Sequence, residues 1–339
     1  MQALRTRSRI ADQISAAVER LQLNLSGWRV LTEAATGPYA VTPILAALAG
    51  AEVIAFTRES RYGTVRQVRQ ETSALAQELG ISDRVAVVEV LTAADLGSVD
   101  LITNSGHLRP IDAAKIDHLK PTAVIPLMYE AWEFRATDVD LAACHRRGIR
   151  VAGTNERHPK VGVFAYLGPL VVKAILEANH ELLGERCLLI SDNDFAPYIR
   201  RTLEANGAEV HQVARSVEAS GATWDIVIIA TTPPLSGGER VSLDGVHADL
   251  YCQLWGDVDR TQVTGTWRPE REPEPGHMGL ALADLGVAPV VRLQAAGLKC
   301  GEVLLRGVAG PYESIVQRDL PAGGPGPMPF SPQRSRGLS

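Results

Sequence analysis

Nowhere in the 339 residues do two cysteines fall close together: Cys144, Cys187, Cys252 and Cys300 are spread along the chain with no C-x-x-C pair. That spacing excludes a disulfide framework and a zinc finger, and leaves four buried thiols as the expectation. Long apolar runs are also missing. None approaches the ~20 residues of a membrane span, and the N-terminus MQALRTRSRIADQ is too polar for a secretory leader. Basic residues are scattered in a chain of net charge −5, so neither a nucleic acid nor a membrane surface is expected as partner. No metal centre is expected, because Asp192-x-Asp194 has no H-x-x-x-H or dense carboxylate cluster to complete it. These absences point to the cytoplasm and to a small-molecule partner.

The most informative absence is glycine where a nucleotide-binding turn wants it. Leu188 to Val210 reads LLISDNDFAPYIRRTLEANGAEV, the outline of strand, turn, helix and strand. In such a turn G-x-G-x-x-G lets the backbone bend and touch a pyrophosphate. Here Ser191, Asn193 and Ala196 stand in the glycine places, with Asp192 and Asp194 between them. Two carboxylates beside a bound diphosphate repel it.

What is present is alternation. An opening helix from about Ser8 to Leu23 is followed by strand-like WRVLTE, helical VTPILAALAG, strand-like AEVIAFTR and a polar helix to about Leu79. RVAVVEV, VDLITNS, TAVIPLM and IRVAG continue the series, short apolar runs of the kind buried on both faces of a parallel sheet. After Gly153 come a helix over about 161–183, the quoted unit, WDIVIIATTPP, DLYCQLWG and a helix-rich stretch, a second α/β domain. From Leu320 onward the composition predicts a disordered tail. A weak repeat relates the halves: WRVLTEAATGPYAVTPILAALAGAEV aligns with ERCLLISDNDFAPYIRRTLEANGAEV. Convergence of two helix-capping glycines explains the match equally simply.

The run VDLAACHRRGIRVAGTNE (Val139 to Glu156) resembles the interdomain segment of the D-isomer-specific 2-hydroxyacid dehydrogenases, the formate and glycerate dehydrogenase-like family. A long helix, the quoted βαβ unit, ATTPP and Pro275-Gly276-His277-Met278-Gly279 follow in the family's order. The resemblance covers roughly residues 100 to 300. It implies an α/β fold of two Rossmann-like domains, one flavodoxin-like and one nucleotide-binding-like, with parallel sheets about a cleft. The implied domains are 1–153, joined by a returning segment at 301–319, then 154–300, then the tail 320–339. It further implies a homodimer, NAD(P) as cofactor and His277 as an acid/base. The residues depart from that pattern where function lies: the glycines are replaced, the acidic ribose ligand is absent from EVHQVARS, and no catalytic Arg follows DLYCQLWG directly. NAD(P) bound in the usual manner is therefore disfavoured.

Ligands of parallel α/β sheets sit outside the carboxyl ends of the strands, which selects the candidate site. Thr36, Gly37 and Tyr39, in a turn that loosely resembles the first motif of S-adenosylmethionine-dependent methyltransferases, are candidate cofactor contacts, as are Asn193, Thr231 and Thr232. Asn104, Ser105 and Gly106 can bring donors to a substrate carboxylate, and Arg109 can clamp it. His107 and His277 are the proton-transfer candidates, with Glu130 and Glu156 orienting or activating them. Tyr129, Trp132 and Glu133, beside Glu130, suit pKa tuning by apolar walls, and Asn155 and His158 lie at the hinge. Lys299 is read as a polar tip of the second domain. Each has a bland reading as a turn, a helix cap or a solvated surface group.

Three functions fit these residues. The first is an enzyme acting on a small polar, carboxylated metabolite in the cleft, an NAD(P)-linked oxidoreductase by inheritance of fold. The second is a non-redox transferase or lyase using S-adenosylmethionine or no nucleotide. The third, a catalytically silent ligand-binding protein, expects no convergence of His107, Glu130, Glu156 and His277.

Overall fold

The computed structural model describes residues 2–233, 240–307 and 310–320. Strand and helix alternate as the apolar runs predict: α1 (Gln2–Leu21), β1 (Arg29–Glu33), α2 (Val41–Leu48), β2 (Glu52–Phe56), α3 (Val65–Glu78), β3 (Val85–Val88), α4 (Ala93–Ser98), β4 (Leu101–Ile102), α5 (Ala113–Ile116), β5 (Val124–Pro126), α6 (Leu141–Arg147) and β6 (Arg150–Thr154). Side chains set the helix ends. Thr64 and Gln67 form a capping box on α3, Asp140 accepts from Ala143 N to start α6, and Gly148 at φ +68 closes it. There follow α7 (Leu167–Glu177), β7 (Arg186–Ile190), α8 (Ala196–Ala205), β8 (Glu209–Val213), β9 (Thr223–Ala230), β10 (His247–Trp255) and β11 (Thr266–Arg268), then α9 (Val287–Arg306) and β12 (Val316–Gln317).

The chain divides into two compact units, Met1–Val163 with the segment that begins at Gly286, and Phe164–Leu285. Both divisions fall about ten residues or more from the expected 153/154 and 300/301. Residues 154–163 stay with the first unit because Asn155 N donates to Ile315 O at 2.8 Å and Val163 N to Glu156 O at 3.0 Å. Residues 287–300 join it because α9 is apolar along its length and packs on α1, α2, β5 and β6. Lys299 is therefore a residue of the first unit, buried against Glu302 at 2.8 Å, not a tip of the second. Leu320 packs on the first unit's core, so the expected tail cannot begin there; its remainder, with Pro234, lies outside the described residues.

The first sheet has the order β12-β6-β5-β4-β1-β2-β3, parallel except for β12, which pairs antiparallel with β6 through Val316 and Thr154. Leu31 lies between Ile54 and Ile102, and these residues with Ile125, Leu127 and Phe134 form the core on one face. In the second unit the order is β11-β10-β9-β7-β8, all parallel, over a core of Leu188, Ile190, Val227, Ile229 and Tyr251. The parallel strands of the first sheet read 3-2-1-4-5-6, the classic nucleotide-binding order, and those of the second 2-1-3-4-5, the flavodoxin-like one. Both expected topologies are present, the nucleotide-binding order in the first unit and the flavodoxin-like order in the second. Periodicity could not show this, because strand order depends on which neighbour each strand pairs with.

Gly50 (φ +99) and Gly207 (φ +85) make the same left-handed step before β2 and β8, which a repeat and two converging helix caps explain alike. The helix expected over 161–183 is shortened to α7 by left-handed residues at both ends, Gly162 (φ +62) and Asn179 (φ +60). Among the described residues no helix is long and apolar enough to cross a membrane.

Candidate active site

The carboxyl ends of β5 and β6 bring three glutamates together. Glu130 follows β5, Glu133 ends the short 3-10 turn Ala131–Glu133, and Glu156 follows β6. Gly153 allows the closeness: a Cβ there would overlap the backbone of Ala131. Glu130 is fully buried, with Oε1 accepting from Glu156 N at 3.0 Å and Arg157 Nε at 3.2 Å, and Oε2 from Trp132 Nε1 at 2.5 Å. Burial pushes its carboxyl up, against the opposing pull of Arg157 and these donors. Among the described residues Glu133 Oε1 takes only the weak 3.3 Å bond from Glu130 N. Burial, then the Glu130 charge, raise it to about 7.

Glu156 is the unusual member. It is 6% exposed, and among the described residues its carboxyl accepts no hydrogen bond and joins no ion pair. Burial first, then Glu133 and Glu130, hold it well above the usual carboxylate range. A carboxyl in a buried residue with two acidic neighbours is driven toward its protonated form, against the pull of Arg157. Among the described residues no group of three or more His, Cys, Asp or Glu is arranged to hold a metal ion.

The neighbouring loop, after β4, carries the amide-rich candidates. Thr103 Oγ1 bonds Thr32 Oγ1 at 2.8 Å and Ser105 Oγ at 2.7 Å, all buried. Asn104 Oδ1 accepts from Met128 N at 2.8 Å, tying this loop to the end of β5. Arg109 Nη1 meets Asp138 at 3.2 Å, and Asp138 also receives Tyr129 OH at 2.8 Å. Among the described residues Nε and Nη2 of Arg109 remain unbonded. Asn155 is spent on Ser314 O at 2.9 Å and on Arg157 N at 3.1 Å, while His158 Nδ1 accepts from Lys160 N at 3.2 Å.

Among the described residues neither proposed histidine meets a carboxylate with its ring. His107 Nδ1 accepts from Arg58 Nε at 3.2 Å, and only its backbone N reaches an acid, Glu33 Oε2, at 2.8 Å. The exposed His277 places Nδ1 3.1 Å from Pro275 O. In the turn Thr36–Tyr39, where cofactor contacts are expected, Gly37 N is filled by Glu71 Oε2 at 2.9 Å, and Thr36 Oγ1 donates to Tyr62 O. Reasoning from sequence passed over Glu33 and Arg157. An acid as the last residue of a buried parallel strand, and an Arg directly after Glu156, were the signals available.

In the second unit the turn between β7 and α8 is closed by its own side chains. Asp192 Oδ1 accepts from Thr232 N at 2.8 Å, Asn193 Oδ1 from Phe195 N at 3.1 Å, and Asn193 Nδ2 donates to Ala230 O at 2.9 Å. Thr231 Oγ1 is buried without a partner. Arg260, the nearest guanidinium after β10, is committed to Gln253 Oε1 at 2.7 Å and to the carbonyls of Pro269 and Glu270.

No protein-family model and no curated protein sequence matches the chain. Solved structures match its fold. A dipicolinate synthase polypeptide from Bacillus halodurans superposes with a TM-score of 0.52 at 13% identity, over 85% of this chain and 100% of that one. A dipicolinate synthase polypeptide from Bacillus subtilis gives 0.52 at 12% identity, over 84% and 99%. An NAD-dependent formate dehydrogenase from Staphylococcus aureus in complex with NAD gives 0.44 at 11%, over 86% and 99%. The fold, two Rossmann-like α/β units with largely parallel sheets, is shared with the dipicolinate synthase polypeptides, and at these identities the likeness is one of fold.

Proposed function

We propose that the chain is an enzyme acting on a small polar metabolite at the carboxyl edge of the first sheet, with Glu156 as proton donor and Glu133 as its partner. The observation that carries this reading is the carboxyl of Glu156, buried, without a hydrogen-bond partner among the described residues, and beside two further acids. A carboxylic acid kept protonated near neutral pH is a general acid, and a neighbour near 7 can take the proton back. Two nitrogens of Arg109, unbonded among the described residues while Nη1 pairs with Asp138, support a carboxylated substrate. Tyr129, Trp132, Asn155 and His158 are the side chains that would border it.

Oxidoreduction with NAD(P) is the activity the fold inherits, but the residues do not fit a dinucleotide held in that fold's usual way. In the turn between β7 and α8 Phe195 N is taken by Asn193, and after β9 Thr232 N is taken by Asp192, so a diphosphate would have to displace both. A proton-transfer enzyme of the lyase or transferase kind is therefore the finer reading, working as a cytoplasmic homodimer. Calorimetric titration with NAD should give no heat that Asp192→Asn alters. A crystal showing the diphosphate on Phe195 N and Thr232 N would overturn this.

The deciding experiment screens polar metabolites by thermal shift, since a ligand at 100 times its Kd adds about 2.7 kcal/mol. Glu156→Gln should then bind the ligand found and lose turnover by about 100-fold or more. Full activity in both Glu156→Gln and Glu133→Gln would sink the assignment.

A further inference from the structure

The β6 edge of the first sheet is closed by a short segment, residues 312–317, that reaches both loops of the acid cluster. Val316 and Gln317 of β12 pair antiparallel with Thr154 and Gly153 of β6. Asn155, directly before Glu156, is gripped twice, its N donating to Ile315 O at 2.8 Å and its Nδ2 to Ser314 O at 2.9 Å. Lys160 Nζ donates to the hydroxyl of the buried Tyr312 at 2.9 Å. Gln317 extends the grip to the other loop: its Oε1 accepts from Ala131 N at 2.7 Å, across 186 positions of sequence.

Ala131 opens the 3-10 turn that ends at Glu133, and the first N–H groups of such a turn have no partner within it. Glu133 N and Phe134 N are met inside the turn, by Glu130 O at 3.0 Å and Ala131 O at 3.2 Å. The N–H of the buried Ala131 is met by Gln317 instead. A backbone N–H can face only the oxygen of a carboxamide, so this bond also fixes which way Gln317 points. The turn has little slack beneath it: a Cβ on Gly153 would lie 2.4 Å from Ala131 N, and Gly153 is the register partner of Gln317.

We propose that Gln317 is a positioning residue for Glu133, holding the turn that carries it down on β6, beside Glu130 and Glu156. The inference rests on the proton-transfer role proposed for Glu133 and Glu156. The charged and titratable groups around Glu133 are Tyr129, Glu130 and Arg135 on its own stretch of chain, and Glu156 with Arg157 after β6. On the closing segment Arg318 pairs with Glu313, and Cys300 of α9 meets Gly153 O at 3.5 Å from beneath. With the turn seated, burial and the Glu130 charge keep the proton on Glu133 up to about 7. A turn lifted from β6 admits water, and the carboxyl returns toward its ordinary 4.5.

Carbon-13 NMR of the full chain labelled at the glutamate carboxyls tests this, with the Glu133 signal assigned from its loss in Glu133→Gln. The unaltered chain should titrate there at about 7. Gln317→Met keeps the length of the side chain and loses the acceptor. It should lower that midpoint by about one pH unit or more and speed hydrogen exchange at Ala131 N by about 10-fold or more. Gln317→Glu restores an acceptor and should keep the slow exchange, with a midpoint at or above that of the unaltered chain because it adds a negative charge. A purely structural role predicts a lower urea midpoint in Gln317→Met with the Glu133 titration unmoved; that result overturns the proposal, as does an equal fall in Gln317→Glu. A midpoint near 4.5 in the unaltered chain would remove the proton-transfer reading as well, whereas one near 7 that Gln317→Met leaves in place removes only the role of Gln317. Should Gln317→Met not fold, Gln317→Asn, whose carboxamide stops one carbon short of Ala131 N, is read in its place.

Discussion

Glu130→Ala is expected to lower the free energy of unfolding by about 3–5 kcal/mol, the range for breaking a buried ion pair from one side. The substitution strips three donors at once: Trp132 Nε1, Glu156 N and Arg157 Nε. It also leaves the Arg157 guanidinium, three-quarters buried, without this counter-charge. Because those donors come from the loops after β5 and β6, both strand ends should loosen together. Arg157→Ala should be costly for the converse reason, a carboxylate stranded in the core. The double variant should cost less than the sum, since neither charge is then left alone. Urea denaturation of the three variants checks this. A loss below about 1 kcal/mol for Glu130→Ala would mean that water or a rearranged side chain replaces the carboxylate.

This pair shows why the site was only half legible. The chemistry of Glu130, Glu133 and Glu156 was visible, because carboxylates beside aromatic residues and at strand ends are unusual company. Their mutual contact was not, since 23 positions separate Glu133 from Glu156, and it is the parallel pairing of β5 with β6, from Val124 with Arg150 to Pro126 with Ala152, that brings them side by side. The histidines failed for the opposite reason. His107 and His277 were chosen by residue type, and type says nothing about which atom faces a ring: at His107 the acid meets the backbone amide and the ring meets Arg58.

Fold followed the same division. Buried parallel strands write themselves as apolar runs, so nearly every strand was anticipated in place. The short β11 and the antiparallel β12 were not, being two or three residues long and recruited by neighbours already formed. The extent of the first unit depended on α9. Its residues pack tightly against the sheet, with Gly301 set where a Cβ would overlap Leu101, and the sequence of a helix does not name the sheet it covers.

Stability should fall as pH rises from about 5 to 8, opposite to the behaviour of a protein whose carboxylates are salt-bridged. Glu133 is raised from 4.5 to about 7 in the folded chain, chiefly by burial and then by Glu130, with Arg135 pulling the other way. Glu156, facing Glu133, Glu130 and Arg157, is raised as well. A group whose folded pKa lies above its unfolded value binds its proton more tightly when folded. Its contribution is complete below the unfolded value, near 4.5, and is lost as pH climbs through the folded one. For Glu133 the difference corresponds to about 3 kcal/mol at ~1.4 kcal/mol per pH unit, and Glu156 adds in the same direction. Glu133→Gln carries no proton to lose. It should flatten much of the slope, and it should be more stable than the unaltered chain at pH 8 while differing little at pH 5. Urea midpoints measured from pH 5 to 8.5 for both proteins provide the check. A midpoint that holds level or rises over this range in the unaltered chain, or a slope unchanged by Glu133→Gln, would show that the three carboxyls reach water and ionise normally, and the proton-donor role of Glu156 would fall with it.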